Sequence, residues 1–208
     1  MLKICYNFRM KITHITIFGV GAAGSGILSN LVCVHPELSY SVVDFDIVEQ
    51  RNIIPGTQPY SKADLNRPKV QAIQRIIKMS RDKSIEANNA KIASKADLLK
   101  FVKDRNSTLI VDAFDNAPSR NFFLELKGYN VLHLGFSAGL AGEAVWDGVF
   151  TKMAEAKSDK SIDVCELHLA KPFISCLTAL GSLVACRFIE TGEKTNVYFD
   201  SKMKMFTF

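Results

Sequence analysis

Apolar residues along the chain switch repeatedly between alternate-residue and helical spacing, and most switches coincide with a glycine, a proline or an acid. Residues 12–20, ITHITIFGV, are rich in β-branched side chains and predict a strand; GVGAAGSG follows, and residues 23–34 then place apolar side chains at helical spacing. LSYSVVDFD (38–46) predicts a second strand ending in acid, and residues 66–81 an amphipathic helix with Val70, Ile73, Ile76 and Ile77 on one face. Residues 84–92 read as a third strand, 95–104 as a short helix, and STLIVDAFD (107–115) as a buried fourth strand. A helix over 117–128 has a glycine stop at Gly128, and two further strands are predicted over 130–139 and 142–150. Residues 151–163 are polar, lysine-rich and aperiodic, the pattern of a mobile loop. The stretch 171–193 opens at a proline and stays apolar at helical spacing to Ile189, as a buried helix does, and residues 196–208 alternate about a turn as a terminal hairpin.

Strands that alternate with helices predict an α/β fold: a doubly wound, Rossmann-like, mostly parallel sheet with antiparallel strands towards its C-terminal end. At 208 residues and 48% apolar content the chain has enough material for one core, so a single domain over 1–208 is expected. The net charge of +5 comes from 26 basic and 21 acidic residues that are interspersed, without the basic stripe of a nucleic-acid binder. Cys5, Cys33, Cys165, Cys176 and Cys186 form no C-x-x-C pair and are odd in number, which argues against a structural zinc or a secreted disulfide framework and for the cytosol. No stretch reaches the roughly 20 apolar residues of a membrane span, so a soluble, cytoplasmic protein is expected.

Candidate chemistry starts at Gly19, Gly21 and Gly24, a G-x-G-x-x-G directly after a strand and at the start of a helix. The first glycine permits a tight turn, the second lets the backbone approach a phosphate, and helix-terminal N–H groups face the anion. Asp44 follows Gly19 by 25 residues, at the end of the next strand, where a carboxylate can accept from ribose hydroxyls. Hydride transfer needs one acid there and leaves Asp46, Asn52 and the later Lys69 unexplained. Reaction at a triphosphate explains them, because a pocket that expels pyrophosphate needs donors or cations for the developing charge and a carboxylate for magnesium.

In these residues the chain resembles the ThiF/MoeB/HesA family, activating enzymes for ubiquitin-like and sulfur-carrier proteins, whose pattern is D-x-D-x-V-x-x-x-N-L-x-R-Q, a lysine, then D-N-x-x-x-R. Asp44, Asp46, Val48 and Asn52 match it in type and spacing, as do Asp115, Asn116 and Arg120. The resemblance extends over most of residues 12–192. It implies that Asp44 holds the ATP ribose, Asn52 and Lys69 the phosphates and Asp115 the magnesium; Asn116 would order the turn. Arg120 supports the site, pairs with a neighbouring acid, or is simply a solvated or structural arginine. A small ubiquitin-like or sulfur-carrier protein is the implied acceptor and a homodimer the implied assembly, with Arg9 the candidate to reach a partner's ATP. The chain departs from the pattern at Asn52-Ile53-Ile54-Pro55-Gly56-Thr57-Gln58, where two residues are inserted and Thr57 takes the place of the family's arginine. Arg51 or Arg67 could compensate, or the turn has ended catalysis and left a nucleotide-binding subunit.

Cys165, beside the polar loop, is the one candidate nucleophile, though only His168 lies near it in sequence to activate it. Cys33, Cys176 and Cys186 read as small core residues, and His14 and His133 as satisfied core imidazoles. Lys152, Lys157, Lys160 and Lys171 suit an acidic partner surface or plain solvation. An NAD-dependent oxidoreductase remains as a reading of the glycine loop and Asp44 alone.

Overall fold

A computed structural model of the chain describes residues 12–54, 56–115, 117–137, 140–147, 167, 169–200, 202 and 204–207. Its strands are β1 (His14–Phe18), β2 (Ser39–Asp44), β3 (Glu86–Asn89), β4 (Thr108–Asp112), β5 (Asn130–Phe136), β6 (Ala141–Trp146), β7 (Val197–Asp200) and β8 (Met205–Thr207). Its helices are α1 (Ala22–Val34), α2 (Gln50–Ile53), α3 (Lys69–Arg81), α4 (Lys95–Leu99), α5 (Ala117–Leu124) and α6 (Ala170–Thr191), with one 3₁₀ turn at Lys62–Asp64.

One sheet runs β3-β2-β1-β4-β5-β6-β7-β8. The first five strands pair in parallel and the last three antiparallel, as the sequence predicts. Strands covered on both faces read as unbroken apolar runs, and β1 and β4 do so because successive side chains serve two cores. Ile15, Ile17, Leu109 and Val111 join Ile27, Leu28, Ile73, Ile77, Leu177 and Phe188 in the larger core. Phe18, Ile110 and Val131 meet Leu98 and Phe123 in the second. The chain turns outward from β1 in one direction through β2 and β3, and in the other through β4 and β5. A crevice between β1 and β4, at their C-terminal ends, follows from that reversal.

Several sequence expectations need adjusting. Helix α6 is, by length and composition, apolar enough to cross a membrane, contrary to the expectation that no stretch is; Phe173, Ile174, Leu177, Val184, Ala185 and Phe188 are buried in the fold. It begins two residues before Pro172, whose missing N–H falls in the first turn, where amide groups have no intrahelical acceptor. Cys33 and Cys176 are exposed and Cys186 is half-buried, so the first two are not core residues: both sit on the outward sides of helices whose other sides face the sheet. Helix α5 stops at Leu124, and Gly128, with φ +76°, serves the turn that leads on to β5. The loop 151–163, Cys165, His168, Arg9 and Asn116 lie outside the described residues.

At the start of α1, a Cβ on Gly24 would sit 1.8 Å from the carbonyl oxygen of Gly19. Because that obstacle is backbone, Gly24→Ala is expected to cost about 3 kcal/mol or more in chemical denaturation. An unchanged midpoint would show that the loop gives way freely.

Candidate functional site

The glycine loop begins at Gly19, which takes φ +85°, and presses on the turn after β4: a Cβ there would lie 2.8 Å from the Ala113 carbonyl oxygen. The loop is held from below by side chains. Asp44, buried at the end of β2, accepts from the Val20 N–H through Oδ2 (2.8 Å) and from the Asp46 N–H through Oδ1 (2.9 Å). Burial pushes its carboxyl above the usual range, an effect that these two N–H groups and the Lys69 charge only partly offset. Tyr60, also buried, donates to the Val20 carbonyl at 2.6 Å. One residue of the loop is thus gripped at both its N–H and its C=O.

Asp46 is half-exposed and pairs with Lys69, whose Nζ lies 2.9 Å from its Oδ2. The Lys69 N–H also donates to the Asp46 carbonyl at 2.9 Å. Lys69 opens α3 and is 7% exposed, so the cation is fixed at the site's edge with a carboxylate as its partner. Asn52 is buried as the third residue of α2, where its Oδ1 accepts from the Glu49 N–H at 2.8 Å and completes a reciprocal cap with the Glu49 side chain. Four residues make a helix too short to persist alone, and this cap holds it.

The segment that replaces the family's arginine follows directly. Thr57 is buried, and its hydroxyl and the Gln58 Oε1 have no hydrogen-bond partner among the described residues. Arg51 is exposed and hydrogen-bonds to Glu49, and Arg67 is exposed.

Across the crevice, β4 ends in Asp112, which is fully buried, and the chain turns through Ala113 and Phe114 to Asp115, which is exposed. Arg120 on α5 is buried: Nε donates to Asp112 Oδ2 at 3.2 Å and Nη2 to the Leu134 carbonyl at 3.3 Å. Of the roles weighed for it, the geometry shows pairing with an acid, and its burial excludes a merely solvated arginine. His133 on β5 is buried too, with Nδ1 2.9 Å from Asp112 Oδ2. His14 on β1 bonds through Nε2 to the Ser41 hydroxyl at 2.8 Å, and burial, aided by Lys103, lowers its pKa.

The structure therefore places Gly19, Gly21, Gly24, Asp44, Asp46 and Lys69 around the glycine loop and the end of β2, while Asn52 caps α2 and Asp115 follows β4, whose C-terminal end adjoins that of β1. Sequence reasoning missed Tyr60, Asp112 and Glu143, the last buried on β6. The signal for Asp112 was an acid closing an otherwise apolar strand; Tyr60 had none beyond its place after the inserted turn. No group of three or more His, Cys, Asp or Glu residues able to hold a metal occurs among the described residues.

A family model described as the ThiF family matches residues 7–192. Among solved structures, E. coli MccB with ATP superposes with a TM-score of 0.73 at 15% identity, over 96% of this chain and 64% of that one. E. coli MccB with AMPCPP and MccA gives the same values, and PaaA a TM-score of 0.68 at 20% identity, again over 96% and 64%. The chain thus spans just under two thirds of the length of these structures, and at such identities the likeness concerns the fold. No curated protein matches the sequence.

Proposed function

Because this chain belongs to the ThiF family, matched over residues 7–192, we propose that it is an ATP-dependent adenylyltransferase acting on a carboxylate. The observation that supports the reading is the strand reversal between β1 and β4, flanked by a glycine loop after β1, Asp44 at the end of β2 with Lys69 beside it, and Asp115 beyond β4. In the proposed reaction a carboxylate oxygen attacks the α-phosphorus of ATP, the bond to the bridging oxygen breaks, and pyrophosphate leaves with the electron pair. The glycine loop and the first turn of α1 would direct N–H groups at the phosphates. Asp44 would meet the ribose while continuing to hold Val20, since each carboxylate oxygen has more than one lone pair.

Asp115 suits magnesium. This ion needs only one or two carboxylates and completes its octahedron with phosphate oxygens and water, so a lone exposed Asp is a sufficient protein contribution. Bound there, the ion would neutralise charge on the departing pyrophosphate.

We extend the proposal to the acceptor: the C-terminal carboxylate of a small ubiquitin-like or sulfur-carrier protein in the cytosol, activated by a homodimer for which the exposed Leu183 on α6 offers apolar surface. Cys165 is the proposed nucleophile for any later thioester or sulfur-transfer step. The test is ATP–pyrophosphate exchange with candidate carriers. Exchange is expected with a free carrier C-terminus and none with the same carrier amidated; equal exchange with both would sink the assignment.

A second reading is a subunit that binds nucleotide without catalysis. Thr57 favours it, because a buried hydroxyl supplies no charge where the family has a guanidinium. Calorimetry separates the two, since a relic should bind ATP equally with and without magnesium.

The Asp46–Lys69 pair makes its own prediction. ATP must compete with Asp46 for Lys69, so Asp46→Asn should tighten ATP binding by about 3-fold by raising the fraction of sites with the lysine available. Weaker binding by calorimetry would instead mean that Asp46 touches the nucleotide.

A further inference from the structure

We infer that Asp112, braced by Arg120 and His133, is the positioning residue for the turn that carries Asp115; the inference rests on the adenylation reading and adds to it the device that aims the metal-binding carboxylate. Asp115 itself is exposed and, as the third residue after β4, depends for its position on what holds the turn.

Three donors converge on Asp112. Its Oδ1 accepts from the Phe114 N–H at 3.2 Å, across the turn, and its Oδ2 takes Arg120 Nε at 3.2 Å and His133 Nδ1 at 2.9 Å. Backbone and ring contacts secure the rest of the turn: the Ala113 N–H donates to the Phe18 carbonyl at 2.9 Å, and the Phe114 ring lies 6.3 Å from that of Phe18 and 6.0 Å from that of Phe123. The same turn abuts the glycine loop at Gly19. Asp112 is therefore the junction between a rigid sheet and the two loops that would flank a triphosphate.

The cluster is also built for a charged brace. A Cβ on Gly135 would lie 3.0 Å from Glu143 Oε1 and 3.3 Å from Arg120 Nη1, so the absence of a side chain there gives both groups their room. Arg120, 6% exposed, is in turn anchored to the Leu134 carbonyl. A pair of this burial is weak evidence for net stability and is better explained by the geometry it enforces. Asparagine at 112 has one acceptor oxygen and an amide that would face a donor, so it cannot reproduce the arrangement.

The experiment is calorimetry of ATP with and without magnesium on the full chain. Asp112→Asn is expected to weaken binding in the presence of magnesium by about 10-fold, the usual effect of losing a group that orients a metal ligand. Metal-free ATP binding should change less than about 3-fold by the same logic. Equal losses under both conditions, or no loss in either, would overturn the inference. Should Asp112→Asn fail to fold, as judged by circular dichroism, the pair His133→Asn and His133→Leu carries the test. Asparagine can keep a donor near the position of Nδ1 and should hold the magnesium effect at the wild-type level, whereas leucine should lose part of it; identical behaviour of the two would refute the brace. If wild-type protein binds no ATP, the adenylation reading falls and takes this inference with it; if wild type binds and Asp112→Asn matches it, only the inference falls.

Discussion

Asp115→Ala should abolish most ATP–pyrophosphate exchange, by about 100-fold to 1,000-fold, the range found when a group that meets developing charge is removed. The residue is exposed at the end of the turn after β4, so the variant should melt close to wild type. The loss should lie in the chemical step more than in nucleotide affinity, because the charge that a bound magnesium would offset grows as pyrophosphate departs. Steady-state exchange with saturating ATP is the measurement. Wild-type exchange in the variant would remove Asp115 from the metal's coordination and point to another acid.

Lys69→Met should have the next largest effect. The substitution keeps the buried length of the side chain and deletes the charge, leaving Asp46, with 46% of its side chain exposed, to be solvated by water. The structural cost is therefore small. Functionally the pocket loses the one buried cation seen beside the glycine loop among the described residues, while Asp46 remains as a negative charge near the phosphates. Exchange should fall by about 100-fold and ATP affinity with it, a pattern of charge stabilisation lost in both ground and transition state. A variant that binds ATP normally would show that Lys69 serves Asp46 alone.

Much of the architecture could be read from the chain because the parallel strands are buried on both faces, so Ile15 to Phe18 and Leu109 to Val111 stand out as unbroken apolar runs between turn residues. The places of the glycine loop, Asp44 and Asp115 in the fold were legible for a related reason: the loop follows β1, Asp44 ends β2 and Asp115 lies three residues beyond β4, and strand ends at a sheet reversal are where ligands sit. What remained hidden depends on pairing across long separations. Asp112 meets His133 because β4 and β5 run in register, and Glu143 meets Gly135 across β5 and β6; neither contact leaves a periodic trace. Asn52 illustrates a different gap. The family resemblance implied a phosphate contact for it, and the structure adds a local task, capping α2, that the sequence pattern alone did not reveal.

The order of the strands also dictates when the site can exist. β1 lies between β2 and β4, and its pairing with β4 joins His14 to Thr108 and Phe18 to Asp112, stretches separated by more than three elements of chain. Closing so long a loop is slow relative to forming local turns, because its entropy is lost before any contact is made. The glycine loop and the Asp115 turn come together only through that pairing, so folding intermediates that have built β1, α1 and β2 would still lack half of the pocket. On the proposed reading, nucleotide would act as a ligand of the completed sheet alone: by mass action it should draw the last step forward, and its binding would report that the central strands have met.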